Sequence, residues 1–301
     1  MQTLPFKISL CAKNVIPCIL LFLGDFAGGA VASSTISTTD RHAYSANAGW
    51  IDFRPSAGDG VRVDETFLSG YAYAANFGWI HLGDGSPENG HSYSNNSSSD
   101  YGVNLAADGK LTGYAYSANI GWIAFEQQWG QPAMNYSTGR FSGHAYAGNA
   151  GWIALDTPSS DLAAASIAAP ADSDGDGISD AWEQSKFGNL TSATASTDSD
   201  GDGATDLREY LAGTEPTDAA SHLRIVSHSY NTSNSTASLT FTSAPNRRYL
   251  IEHDTDLQGP WTDSGFGLLS PDSGANTSRT FVHPASSKLF FRVQARKPLN
   301  P

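Results

Sequence analysis

The chain is almost without cysteine, short of basic residues and nearly devoid of long apolar runs. Of its 301 residues only Cys11 and Cys18 are cysteines, and both fall within the first 32 positions. With such a leader removed, nothing remains to form a disulfide, a thiolate metal site or a cysteine nucleophile. Lys and Arg number 17 against 30 acids, a formal net charge of −13. A chain that acidic, with no basic patch, lacks the ordinary electrostatic route to nucleic acid, and none is expected as a partner. The one apolar run, Val15 to Leu23, is nine residues long, well short of the ~20 a membrane-spanning helix needs. Catalytic signatures are missing too: no G-x-S-x-G elbow, no H-E-x-x-H, no phosphate-cradling glycine loop. Glu65, Glu88 and Glu126 are acids for a carboxylate pair by elimination alone. The chain is therefore expected not to be an enzyme.

Residues 1–32 have the pattern of a secretory signal. Lys7 and Lys13 supply positive charge, Val15 to Leu23 an apolar centre, and Ala30-Val31-Ala32 a small-residue cleavage site. The expected location is secreted, or held at the cell-envelope surface, with no membrane span after cleavage. There calcium is abundant enough to load even weak sites.

The stretch richest in chemistry is Asp172 to Glu209, two copies of one acidic loop set 26 residues apart. Asp172, Asp174, Asp176, Asp180 and Glu183 stand at positions 1, 3, 5, 9 and 12 of the first loop. Asp198, Asp200, Asp202, Asp206 and Glu209 repeat them in the second. That is the oxygen-ligand spacing of a calcium loop, completed by the position-7 carbonyls of Ile178 and Ala204. Gly177 and Gly203 fall where the chain must turn sharply. Like charges this close repel by about 1 kcal/mol per pair even in water, so each loop calls for a cation, and Ca²⁺ is the expected cofactor. A single acidic run would read as solvated linker; two in-register copies with matched glycines outweigh that reading. Short helices follow, Ala181 to Phe187 stopped by Gly188 and Leu207 to Leu211 stopped by Gly213.

No helix enters either loop, and position 8 is polar (Ser179, Thr205) rather than apolar as in a paired EF-hand. With D-x-D-G-D-G-x-x-D-x-x-E twice and the tail Glu209 to Asp218, the segment resembles bacterial thrombospondin type 3-like repeats. Glu215 stands where that family has Asp. The resemblance implies calcium binding and no catalysis.

Upstream, one phrase recurs four times. Its copies are His42 to Phe53, Tyr71 to Leu82, Tyr114 to Phe125 and His144 to Leu155, each with Asn-x-Gly-Trp-Ile at its centre. The tryptophans Trp50, Trp79, Trp122 and Trp152 are 29, 43 and 30 residues apart, a unit of about 30 with one insertion, Gly83 to Asp100. Each unit reads as a β-hairpin, with Asn-x-Gly at the turn. Upstream strands are expected at Val61 to Val63, Val103 to Leu105 and Met134 to Tyr136. Periodicity leaves open whether the array closes. The phrase resembles a tandem repeat of secreted bacterial proteins, which implies no activity. Repeated aromatics are more often core than surface. The alternative makes Trp50, Trp79, Trp122 and Trp152 a row of ligand-stacking rings for sugar.

The resulting expectation is a mainly β protein of five segments: signal peptide 1–32, tandem β-hairpin repeat array 33–157, linker 158–171, calcium loop–helix pair 172–220, and a fibronectin- or immunoglobulin-like β-sandwich over 221–297, with Trp261, Phe290 and Phe291 in its core. The function expected first is structural or adhesive, with calcium stiffening the junction between two β-modules. Its partners would be calcium and a cell-surface or extracellular polysaccharide or protein. The alternatives are a carbohydrate-binding protein using the repeat aromatics, or an accessory part of a secreted hydrolase.

Overall fold

The computed structural model describes residues 33–158, 160–282 and 288–299; the signal assignment, residues 1–32, lies outside them. No helix among the described residues is long and apolar enough to cross a membrane.

Each repeat phrase is a hairpin. The pairs are Ile36–Ser45 with Gly49–Asp52, Phe67–Ala74 with Gly78–His81, Leu111–Ser117 with Gly121–Phe125, and His144–Ala147 with Gly151–Ala154. In the first, Ser45 pairs with Gly49 across a three-residue loop. The Ala48 N–H donates to the Ser45 carbonyl at 3.2 Å, and Gly49 sits at φ +75°. The turn closed by that bond hands the chain to Gly49 in left-handed backbone, which glycine adopts without strain.

The array closes. Neighbouring hairpins pair edge to edge, and the last strand returns to the first through Tyr44↔Ala154 and Ser45↔Ile153. Eight antiparallel strands thus form a barrel with no open edge among them. Small residues on one strand face large ones on the next: Ala43 opposite Ile51, Ala72 opposite Ile80, Ala115 opposite Ile123, Ala145 opposite Ile153. All eight are at most 4% exposed, and the space left among them and their neighbours is about 10 Å³. Alternating small and large residues is how a narrow barrel is filled.

That filling decides the fate of the rings. The sequence reading favoured them as core; the structure places Trp50, Trp79, Trp122 and Trp152 on the outer wall at 47, 43, 46 and 45% exposure. Each meets the tyrosine directly across the hairpin edge-on, with centroids 4.9–5.0 Å apart. Both strand faces are apolar, so period 2 could not say which turns inward. Only the Ala/Ile face is small enough for eight strands to converge on.

The turn asparagines also differ from expectation. They do not adopt left-handed backbone; their side chains bind the next turn instead. Asn76 donates to the Ala48 carbonyl at 2.9 Å, Asn119 to Phe77 at 3.0 Å, Asn149 to Ile120 at 3.2 Å, and Asn47 to Ala150 at 3.2 Å. The four bonds run round one rim of the barrel and close on themselves.

Below the barrel a second tier of short strands, Val61–Val63 and Val103–Leu105 among them, shares the same core. The stretch read as a linker, 158–171, contributes to that tier. Within it Ser160–Ala164 is a strand, pairing Leu162 with Arg41 and Ala164 with Ile36. Leu162 is fully buried, so this Ala-rich run is anchored rather than free; its single large apolar side chain was too weak a signal to read as a strand.

The C-terminal part is a sandwich of two three-stranded sheets. One orders Ile225–Asn231, Thr236–Thr242 and Asn276–Val282; the other orders Thr262–Asp263, Arg248–Asp254 and Phe290–Arg296. Its centre is Leu239, Phe241, Tyr249, Ile251 and Phe281, with Phe291 packed against them. Trp261 is not in that core. It is half-buried at the margin with the Arg292 guanidinium 4.6 Å above its ring.

Between barrel and sandwich lie two helices, α1 (Asp180–Phe187) and α2 (Asp206–Ala212). Ser179 and Thr205 cap their N-termini, accepting from the backbone N–H groups of Trp182 and Arg208. Gly188 and Gly213 end them in left-handed conformation.

Candidate metal centre

Each acidic loop folds around its own first aspartate. Asp172 accepts from the Gly175 and Gly177 N–H groups at 2.8 and 3.1 Å; Asp198 accepts from Gly201 and Gly203 at 2.8 and 2.9 Å. Gly177 and Gly203 hold φ of +92° and +94°, so the sharp turn needs glycine there. The result gathers Asp172, Asp174 and Asp176 so that one oxygen from each lies within 4.8 Å of the others, and Asp198, Asp200 and Asp202 likewise.

Glu183 and Glu209, expected at position 12, stand in the first turns of their helices and lie outside the two aspartate triads. Glu183 is fully buried, and neither of its carboxylate oxygens has a hydrogen-bond partner among the described residues. Burial pushes its carboxyl up to about 7, and the charges of Asp174, Asp176, Asp180 and Asp172 push the same way. Glu209 is raised to about 7 by burial and by Asp200, Asp202 and Asp206, although Thr214 donates to one oxygen at 3.0 Å. Its other oxygen is unpartnered among the described residues, as are one oxygen each of Asp176, Asp200 and Asp202. Carboxylate oxygens shut off from water without a hydrogen-bond partner are costly unless a cation sits beside them. A hard divalent ion with six to eight oxygen ligands meets that need, and calcium fits the donor set. Bound there, calcium would neutralise the converging carboxylates.

Not every acid of the pattern joins in. Asp180 accepts from the Ser173 N–H and hydroxyl at 2.8 and 2.6 Å, and Asp206 from the same groups of Ser199 at 3.1 and 2.9 Å. Read as position-9 ligands, these two lie outside the triads and instead brace each loop against its helix. Ile178 presents its side chain to a small core with Ala193 and Tyr210, which fixes the backbone at position 7; Ala204 holds the same place in the second loop, its N–H donating to Asp202 at 2.7 Å. The loops are not identical: Asp202 has His222 Nδ1 2.7 Å from one oxygen, off the direction of a hydrogen bond.

Sequence reasoning missed what ties the pair to its neighbours. Glu65, from the barrel module, accepts from the Ser179 hydroxyl at 2.8 Å and the Tyr210 hydroxyl at 2.9 Å. Lys297, from the C-terminal part, donates to the same carboxylate at 2.8 Å and lies 3.7 Å over the Tyr210 ring. Burial opposes ionisation of Glu65, but Lys297 and these donors hold it below the usual carboxylate range. Arg247 of the sandwich donates to the carbonyls of Tyr210 and Leu211 at 2.5 and 2.8 Å, a cation at the C-terminus of α2. The two β-modules also meet directly, Ser137 bonding Ser270 at 2.7 Å and accepting from Arg248 at 3.0 Å. None of these partners has a sequence signal, since the contacts span 36 to 232 residues.

Of the acids left by elimination, Glu65 and Glu88 line a cleft of about 560 Å³ with Asp64 and Asp180, but the Glu65 oxygens are taken up as described. Glu126 accepts from the N–H groups of Gln128, Trp129 and Gly130 and closes its own loop.

A family model described as bacterial TSP3 repeat matches residues 172–186 and 198–219. No curated protein matches the chain, and no solved structure does. The segment that the loops, caps and unpaired carboxylates single out is the one that matches bacterial TSP3 repeats, elements that typically bind calcium.

Proposed function

We propose that the protein is a secreted, non-enzymatic scaffold in which calcium holds two β-modules in a fixed relation, presenting them for adhesion or assembly. The observation that carries this reading is the junction at Glu65. Ser179 is position 8 of the first loop and the N-cap of α1, and Tyr210 follows Glu209 directly in α2. Both donate to one carboxylate of the barrel module, which Lys297 of the C-terminal part also binds. Ordering the loops therefore orders the donors that join the modules. Limited proteolysis with and without EGTA tests it. The expected result is new cleavage within 172–218 after chelation, with barrel and sandwich fragments surviving; identical patterns would count against it.

A second reading, glycan recognition through the outer rings, is favoured by one observation. The four tryptophans stand on the outer wall in a single repeated geometry, half-exposed and each held edge-on by tyrosine. Flat rings held this way suit the apolar face of a sugar.

A further inference from the structure

The four outer-wall tryptophans are not equivalent, and the insertion Gly83 to Asp100 makes the difference. It folds back on the barrel through Tyr93, which is buried against Phe67 with centroids 5.4 Å apart and accepts from the Gly85 N–H at 2.7 Å. Asp100, also buried, accepts from the Ser94 and Glu88 N–H groups and pins the loop's two ends together. The residue after it, Tyr101, lands beside Trp122 at 4.9 Å with the rings at 89°. Tyr101 is itself oriented by a 2.6 Å hydrogen bond between its hydroxyl and His81 Nδ1. Trp122 thus has a third tyrosine neighbour besides Tyr114 and Tyr116, and among the described residues the other three tryptophans have no such addition.

An open cleft of about 400 Å³ lies there, lined by Trp122, Tyr114 and Tyr101 together with Asn96, Ser97 and Ser98. Asn95 lines it too: it takes a left-handed backbone at φ +57° and accepts from the Gly102 N–H at 3.1 Å. None of the lining residues is charged.

We propose that this cleft is a binding site for a neutral sugar, one pyranose unit of an uncharged glycan stacking on Trp122. The proposal rests on the second reading above and narrows it to one repeat of four. The chemistry selects the ligand. Fixed aromatic faces take the C–H face of a pyranose, while exposed amide and hydroxyl groups on one side bond its hydroxyls. An anionic ligand would find no counter-charge, and a wholly apolar one would leave the Asn/Ser wall unsatisfied. Pockets of this size are ordinary for small ligands, which take a few placed polar groups and an apolar floor.

The test is titration of the calcium-loaded full chain with cellohexaose, mannohexaose and chitohexaose, read by tryptophan fluorescence and calorimetry. At least one should bind saturably and shift the emission. Trp122→Ala and Tyr101→Ala should each weaken that binding by about tenfold or more, and Trp152→Ala, the equivalent outer position without an insertion, by less than about twofold. All are outer-wall or loop positions, and circular dichroism checks that each variant stays folded. Binding that survives Trp122→Ala and falls only when several tryptophans are replaced would overturn the cleft and leave the broader ring reading standing. Absence of binding to all three oligosaccharides would overturn both.

Discussion

Ile123 in the barrel and Glu183 in the calcium pair are equally shut off from water, at 2% and 0% exposure. Around Ile123 are Ala115, Ala145 and Ile153, hydrocarbon against hydrocarbon. Around Glu183 are Asp172, Asp174, Asp176 and Asp180. Burying the first contributes about 1.5–3 kcal/mol. Burying the second as a lone ion costs several kcal/mol. The barrel is complete in its own side chains: closed edges, a filled interior, a rim of asparagine bonds. The repeat pair leaves carboxylate oxygens of Asp176, Glu183, Asp200, Asp202 and Glu209 without partners among the described residues. Its apolar core is Ile178, Ala193 and Tyr210 with Trp182, Phe187 and Leu207 at the margin, too little to fix two loops of converging carboxylates. Under the proposed function, one molecule carries a module ordered by its own side chains beside one whose order follows calcium, and the joint at Glu65 lies between them.

Three perturbations sharpen the contrast. The largest effect should come from Ile123→Ala, which empties a well-filled barrel and should lower stability by about 2–5 kcal/mol. Calcium affinity should not change, which denaturant unfolding and a calcium titration of the same sample would check. Next is pH in the metal-free protein. Glu183 and Glu209 are raised to about 7 from an ordinary 4.5, so between those values the folded repeat pair binds more protons than the unfolded one. Its stability should then fall as pH rises from 4.5 to 7 and level off above. Saturating calcium should abolish that slope, while the barrel's own transition should slope the other way, because burial holds His81 and His91 below the ordinary 6.5 and the folded barrel binds fewer protons there than the unfolded one; hydrogen exchange resolved by region would separate the two. The smallest effect belongs to Asn76→Ala. It removes one of four rim bonds and should cost the barrel about 1 kcal/mol, with no effect on calcium uptake.

Short-range signals read well from sequence. The convergence of Asp172, Asp174 and Asp176, the caps at Gly188 and Gly213, and the strands Val61–Val63 and Val103–Leu105 all fall where spacing and turn chemistry put them. Each is specified within a dozen residues. What could not be read depends on contacts far apart in the chain. Barrel closure rests on Ser45 meeting Ile153. The inward turn of Ala43 rather than Trp50 follows from that closure, because only a closed barrel makes one face too narrow for indole. The Asn-x-Gly asparagines announced a turn, but their partners lie in the neighbouring unit. Asp180 and Asp206 carry the ligand pattern yet are spent on Ser173 and Ser199. A one-dimensional motif does not separate an acid that faces the ion from one that braces the loop.

Calorimetric titration of the dialysed protein with Ca²⁺ bears most directly on the central claim. The account predicts two binding steps, both lost in Asp176→Ala/Asp202→Ala, with the barrel's unfolding transition in place throughout. A flat titration of the wild-type chain, with unchanged circular dichroism and melting from micromolar to millimolar Ca²⁺, would contradict it.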